Sequence, residues 1–294
     1  MSHPSLFDRS LIMQRRKKAL AKPVAGADFL LKAAAQDLED RLMMLSRSFE
    51  SAVDLGGHGN YITEALRNSG KVQRVIRADL FTPDQNSGTP DLVIDDAVLP
   101  FAEQSVDLIV SSLNLQLLDD LPGTLVQIRR ALKPDGLFLG LLLGTDSLIE
   151  LRDSFMRAEM EVTGGVSPRV IPFADTRDLG GLLQRAGFAL PVADLDKLTV
   201  RYDTLFDLIK DLRAMGATNP LAERSKRFTP RAVFMKAAEH YAQNYQDEDG
   251  RIRATFTFAS LSGWAPHESQ QKPLRPGSAK QSLAAALGTV EKKV

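Results

Sequence analysis

Residues 53–60 read Val53-Asp54-Leu55-Gly56-Gly57-His58-Gly59-Asn60. A short apolar run ends in a glycine cluster, and a helical stretch, Tyr61 to Asn68, follows before Gly70 stops it. A strand feeding a glycine turn and then a helix is how a doubly wound sheet brings backbone close to a nucleotide-like ligand at its carboxyl edge. Alone, the pattern has a second reading, a tight turn kept for packing. Asp79 favours the first. It closes the next strand, 20 residues after Gly59, where a carboxylate can accept two hydrogen bonds from adjacent ribose hydroxyls. Asp95-Asp96-Ala97-Val98-Leu99-Pro100-Phe101 adds a third element after the third strand. A carboxylate there can accept from an exocyclic adenine amine; Asp95 is the better placed and Asp96 competes with it.

Outward from this centre, Val72 to Ala78, Leu92 to Ile94, Val106 to Ser111 and Leu137 to Leu143 read as strands. A helix runs from Asp120 to near Leu132 with Pro122 in its first turn, and Lys133-Pro134-Asp135-Gly136 is turn chemistry. Strands alternating with helices at this spacing imply an open parallel sheet with helices on both faces. Upstream, Ala27 to Phe49 carries leucines at helical spacing, and the basic run Arg15 to Lys18 reads as a solvated helix face. Downstream, helices are expected from Ser147 to Met160, after a cap at Asp175, over Leu205 to Met215, and over Arg231 to Tyr245 with Thr229 as N-cap and Pro230 in the first helical position. Leu195 to Val200 and Arg253 to Leu261 alternate like strands, and Ser269 to Lys280 reads as a polar tail. The expected organisation is an N-terminal helical extension over 1–50, a main α/β domain over 51–264 with a helical insertion at about 201–250, and a polar tail over 265–294.

Composition excludes several classes. Thirty-seven basic residues balance 37 acidic ones and 44% of the chain is hydrophobic, so neither whole-chain disorder nor bulk attraction to nucleic acid is expected. With no cysteine and four scattered histidines, thiol chemistry is excluded and metal chemistry has little to build on. No apolar run reaches the roughly 20 residues a transmembrane helix needs. No apolar segment suited to a secretory signal follows the N-terminal basic run. The expected location is bacterial cytoplasm or a mitochondrial matrix.

The ordered motifs resemble those of the class I S-adenosylmethionine-dependent methyltransferases. Asp54-Leu55-Gly56 matches the first motif, Asp79 the ribose-binding acid, and Asp95, four residues before Leu99, the acid of the D-A-x-x-L-P-F segment. Leu132-Lys133-Pro134-Asp135-Gly136 is similar to the turn before the fifth strand. The resemblance implies a seven-stranded, Rossmann-like sheet and S-adenosylmethionine held by Asp54, Gly56, Gly57, His58, Gly59, Asp79, Leu80, Asp95, Asp96 and Ser111. One departure stands inside it: His58 and Asn60 occupy the second and third glycine positions, so a Cβ at 58 crowds the methionine end of such a cofactor, with Gly57 and Gly59 supplying flexibility out of register.

Leu6-Phe7-Asp8-Arg9, Asp146-Ser147-Leu148-Ile149-Glu150-Leu151-Arg152, Asp211 to Gly216, and Ser262-Gly263-Trp264 with His267 to Gln270 resemble the complex I assembly factor 5 family and its alphaproteobacterial relatives. More distantly the chain is similar to the malonyl-carrier-protein methyltransferase of biotin synthesis. The implied activity is hydroxylation of an arginine on a quinone-module subunit of respiratory complex I. Methylation of a side chain is the other chemistry the fold serves. Asp146 and Glu150, four apart, are expected to share a helix face and grip a guanidinium; Asn114 and Gln116, after the fourth strand, are expected to line the acceptor site. Two alternatives stay open: a non-catalytic assembly factor with a vestigial cofactor pocket, and a small-molecule or acyl-carrier methyltransferase.

Overall fold

Val53, Leu55, Leu108, Ile109 and Phe138 are wholly buried because the strands that carry them are covered on both faces. The computed structural model describes residues 5–80, 90–271 and 288. Seven strands, β1 (Phe49–Leu55), β2 (Val72–Asp79), β3 (Leu92–Val93), β4 (Val106–Ser112), β5 (Leu132–Leu143), β6 (Ala189–Tyr202) and β7 (Ile252–Trp264), form one sheet in the order β3-β2-β1-β4-β5-β7-β6. The order reverses between β1 and β4, and the glycine turn follows β1 at that switch point, where open α/β sheets bind ligands.

The sheet is not wholly parallel as expected. β7 runs antiparallel to both β5 and β6. The connection from β6 to β7 carries two helices, α7 (Leu205–Ala214) and α8 (Arg231–Tyr245).

The other helices are α1 (Arg9–Ala21), α2 (Phe29–Met43), α3 (Tyr61–Asn68), α4 (Leu121–Ala131), α5 (Ile149–Thr163) and α6 (Thr176–Arg185). One face of the sheet packs Leu30, Leu38, Ile62, Phe155, Leu208, Val233 and Tyr241 from α2, α3, α5, α7 and α8. The other packs Leu125, Ile128, Leu179 and Leu183 from α4 and α6. Helix starts follow their side chains: Asp120 accepts from Gly123 N at 2.8 Å and Asp175 from Arg177 N at 2.8 Å. Thr229 is not a cap. Pro230 takes that position, and the Thr229 hydroxyl accepts from Arg169 Nη1 at 2.8 Å instead. The N-terminal extension holds two helices, α1 and α2. The tail expected beyond Gln271 lies outside the described residues, apart from Gly288. Among the described residues no helix is long and apolar enough to cross a membrane.

Candidate functional site

Gly56 turns the chain out of β1 at φ +71°, a conformation that disfavours a Cβ. A Cβ there would lie 2.3 Å from Asn114 Nδ2, and one at Gly57 would lie 2.4 Å from Asp54 Oδ1. Two glycines are therefore needed so that the turn can close onto the Asp54 carboxylate and the end of β4. Gly59 supplies the second positive φ, +79°. Gly57 does not, and Asn60 sits at φ −99°, so neither takes the left-handed backbone. Asp54 is wholly buried; its Oδ2 accepts from Thr63 Oγ1 at 2.7 Å. Burial pushes its carboxyl up to about 6, against the pull of Thr63 and Arg77.

The acids meet arginines. Asp79 is 2% exposed; its Oδ2 accepts from Arg77 Nη2 at 3.1 Å and its Oδ1 from Leu80 N at 2.7 Å. Burial raises the Asp79 carboxyl, with Arg16 and Arg77 opposing. Arg77 also donates to Asn60 Oδ1 at 2.9 Å, so the asparagine that replaces a glycine has become an anchor for the arginine beside the ribose acid. Asp96 is buried and accepts from Asn114 Nδ2 at 2.7 Å and from Arg9. Asp95 is more exposed and pairs with Arg9 Nη2 at 2.7 Å. Arg16, from α1, is 3% exposed and donates to Asn114 Oδ1 at 2.9 Å. Its expected place on a solvated face is corrected: every third or fourth residue of α1 faces the sheet, and Arg16 follows Ile12 inward.

Ser111 Oγ donates to the Leu55 carbonyl at 2.9 Å, tying β4 to β1. Gln116 Nε2 donates to the Leu113 carbonyl at 2.8 Å, while its buried Oε1 has no partner among the described residues. The Asp146/Glu150 pairing fails. Asp146 precedes α5 in a turn at φ +72° and takes Lys197 Nζ at 3.2 Å. Glu150 is 4% exposed and accepts from the Thr255 amide at 3.2 Å and from its hydroxyl. The helix starts three residues later than the spacing rule assumed, so the two carboxylates share no face, and Glu150 fastens α5 to β7.

Beside the glycine turn lies a cavity of about 260 Å³ between α1, α2, α5, α7 and α8. His58 and Gln116 line it; Asp146, Glu150 and Asn114 do not. Burial, with Arg16 and Arg77 nearby, holds the His58 imidazole well below its usual range. Its Nε2 has no hydrogen-bond partner among the described residues. Sequence reasoning missed Arg16 and Arg77. The one available signal was a charge at position 77 between apolar Ile76 and Ala78, on the same strand face as Asp79.

A methyltransferase domain model matches residues 25–191. "Arginine-hydroxylase NDUFAF5, mitochondrial" of Danio rerio is 37% identical over 95% of this chain and 89% of its own length. The Homo sapiens protein of the same name is 38% identical, over 95% and 82%. The chain belongs to the methyltransferase domain family, in its NDUFAF5 branch. Malonyl-[acyl-carrier protein] O-methyltransferase 1 of Coxiella burnetii is 32% identical to this methyltransferase-type enzyme over 81% of the chain and 83% of that protein. The YcgJ protein from Bacillus subtilis, 15% identical, superposes with a TM-score of 0.52 over 80% of this chain and 99% of its own. That likeness speaks to the fold alone.

Orphaned atoms test the fit of the family's cofactor. Among the described residues, Arg16 Nε, His58 Nε2, Ser112 Oγ and Gln116 Oε1 are buried without partners, on α1, the glycine turn and the segment that ends and follows β4. A cation and several acceptors left open together suit a ligand end bearing both a carboxylate and an ammonium group. S-Adenosylmethionine has such an end, and these residues fit it.

Proposed function

We propose that this NDUFAF5-branch methyltransferase binds S-adenosylmethionine at the carboxyl edge of β1, β2 and β4 and modifies an arginine of a protein substrate during assembly of respiratory complex I. The observation that carries the cofactor half is the set of orphaned polar atoms at the glycine turn. Arg16 would hold the carboxylate of the amino-acid end, with Gln116 Oε1 accepting from its ammonium group. Asp79 would accept from the ribose diol, exchanging or sharing its bond to Arg77, and Asp95 with Asp96 would receive the adenine amine. When bound, the cofactor supplies an electrophilic methyl on a sulfonium. His58 Nε2, kept unprotonated by burial, faces the same cavity and is able to take a proton there.

The substrate half rests on kinship over nearly the whole chain with proteins named arginine hydroxylases. The partner that fits is a quinone-module subunit of complex I, met in a bacterial cytoplasm or a mitochondrial matrix. Mass analysis of that subunit from cells with and without this protein tests the reading. A mass shift on one arginine that disappears on deletion supports it. An unchanged subunit sinks it, and then the alternative of a vestigial pocket in a non-catalytic assembly factor takes its place.

A further inference from the structure

Helix α1 lies along the cleft assigned to the cofactor. Arg9, in its first turn, donates to Asp95 Oδ1 at 2.7 Å and to Asp96 Oδ1, and these are the acids that would receive the adenine amine. Arg16 follows seven residues later, on the same face and a rise of roughly 10 Å further on, at the amino-acid end of the cleft. Both oxygens of Asp96 are engaged: Oδ1 by Arg9, and Oδ2 by Asn114 Nδ2 at 2.7 Å. Asn114 in turn accepts from Arg16. An amine arriving at these acids meets a guanidinium already in place.

The same helix is fastened to the wall of the apolar cavity. The amide of Asp8, the α1 cap, donates to the Pro220 carbonyl at 2.8 Å, and the Ala222 amide donates to the Leu6 carbonyl at 2.9 Å. Asp8 Oδ2 pairs with Arg224 Nη2 at 3.1 Å. Arg15 Nη1 donates to the Thr218 and Asn219 carbonyls at 2.7 Å each, and Thr218, Asn219 and Pro220 line the cavity. The start of α1 thus joins the adenine acids to the cavity wall. The hold is light. Among its 13 residues α1 buries Ile12 and Arg16, and Ile12 packs with Phe7, Ile171 and Leu221 in a small cluster apart from the two that fill the faces of the sheet. Segments with few buried apolar contacts open well below the free energy of global unfolding.

We propose that α1 is a gate latched by Arg9. The adenine amine displaces Arg9 from Asp95 and Asp96, the first turn of α1 swings out about Arg16, and the 218–222 wall loosens to admit the substrate. Cofactor binding therefore precedes opening of the cavity. The inference rests on the adenine placement proposed above. Coupling of this kind is reciprocal, so loosening the wall end eases entry of the cofactor.

Surface plasmon resonance with S-adenosylhomocysteine, together with hydrogen exchange on the full chain, tests it. Arg9→Gln removes the charge of the latch and keeps a donor for Asp96. Arg224→Gln loosens the wall end and touches neither acid. Each variant should raise both the association and the dissociation rate, by about threefold or more. In the parent, S-adenosylhomocysteine should lower protection of the Asp8 and Ala222 amides, and Arg9→Gln should lower it without any addition. Association that is unchanged or slower in Arg9→Gln overturns the latch. Unchanged rates in Arg224→Gln, or unchanged protection of the two amides, overturn the coupling to the wall. Absence of binding by parent and variants alike overturns the cofactor reading and the gate with it, whereas binding at equal rates overturns the gate alone.

Discussion

Arg77 Nη2 lies 3.1 Å from Asp79 Oδ2, and each side chain is 2% exposed. The acid expected to read a ribose is half of a buried ion pair before any ligand arrives. Burial raises its carboxyl, with Arg16 and Arg77 opposing, and a diol binding there must compete with a guanidinium. The pair is thus a filter as well as a foundation, since weak donors will not displace it.

Removing one partner of a buried pair costs about 3–5 kcal/mol, mostly for the charge left behind. Asp79→Ala is expected to destabilise by that order in urea denaturation. Asp79→Ala with Arg77→Met should recover more than half of the loss. In the milder Asp79→Asn, affinity for S-adenosylhomocysteine should fall at least tenfold, because a charge-assisted hydrogen bond is worth roughly 1.5–3 kcal/mol. Unchanged affinity by calorimetry would remove Asp79 from the site.

Asp54 sets a pH dependence. Its carboxyl is raised in the folded state from 3.8 to about 6, so folding favours the protonated form. Its contribution is fully present below about pH 3.8 and is lost as pH rises through about 6. Asp54→Asn keeps an acceptor for Thr63 and should be more stable than the parent at pH 7.5, by on the order of 3 kcal/mol. The difference should vanish at pH 4. Equal stability at pH 7.5 would show that the carboxylate is stabilised by more than Thr63 and Arg77.

His58 works in the opposite sense. Its folded value lies well below 6.5, so its contribution is present above pH 6.5 and is lost as pH falls below it. Ring resonances of His58 in NMR should not titrate between pH 8 and 6. A midpoint near 6.5 would mean that the ring reaches water.

Glu150 is expected to behave as a structural residue. Glu150→Lys buries a cation against Thr255 and should cost several kcal/mol in thermal unfolding. Glu150→Gln retains an acceptor and should cost about 1–2 kcal/mol. If Glu150→Lys folds normally and loses only substrate modification, the guanidinium role is restored.

Much of the fold was legible because it depends on local pattern: the apolar run before Gly56, the Asp175 cap and the alternation of Ala254, Phe256 and Phe258 all report on neighbours in sequence. The positions of Asp54 and Asp79 were legible for the same reason, one in the last two residues of β1 and the other closing β2. What stayed hidden depends on partners far along the chain. Arg16 finds Asn114, 98 residues away, and inside a run of four basic residues its partner is not marked by anything nearby. Glu150 finds Thr255 across 105 residues, and four-residue spacing to Asp146 suggested a nearer companion. The direction of β7 was hidden because alternation is the same in either orientation.

That strand has a consequence for how the protein comes into being. Among the described residues β7 is the last strand made, yet it is seated between β5 and β6. Until residue 252 and those after it have left the ribosome, the flanking strands each present a bare hydrogen-bonding edge, open to any passing chain. The sheet is completed only when β7 is inserted, so chains that stop before it would expose sticky edges to chaperones and proteases. Translation errors that truncate this protein are therefore expected to be cleared rather than to accumulate as half-active fragments.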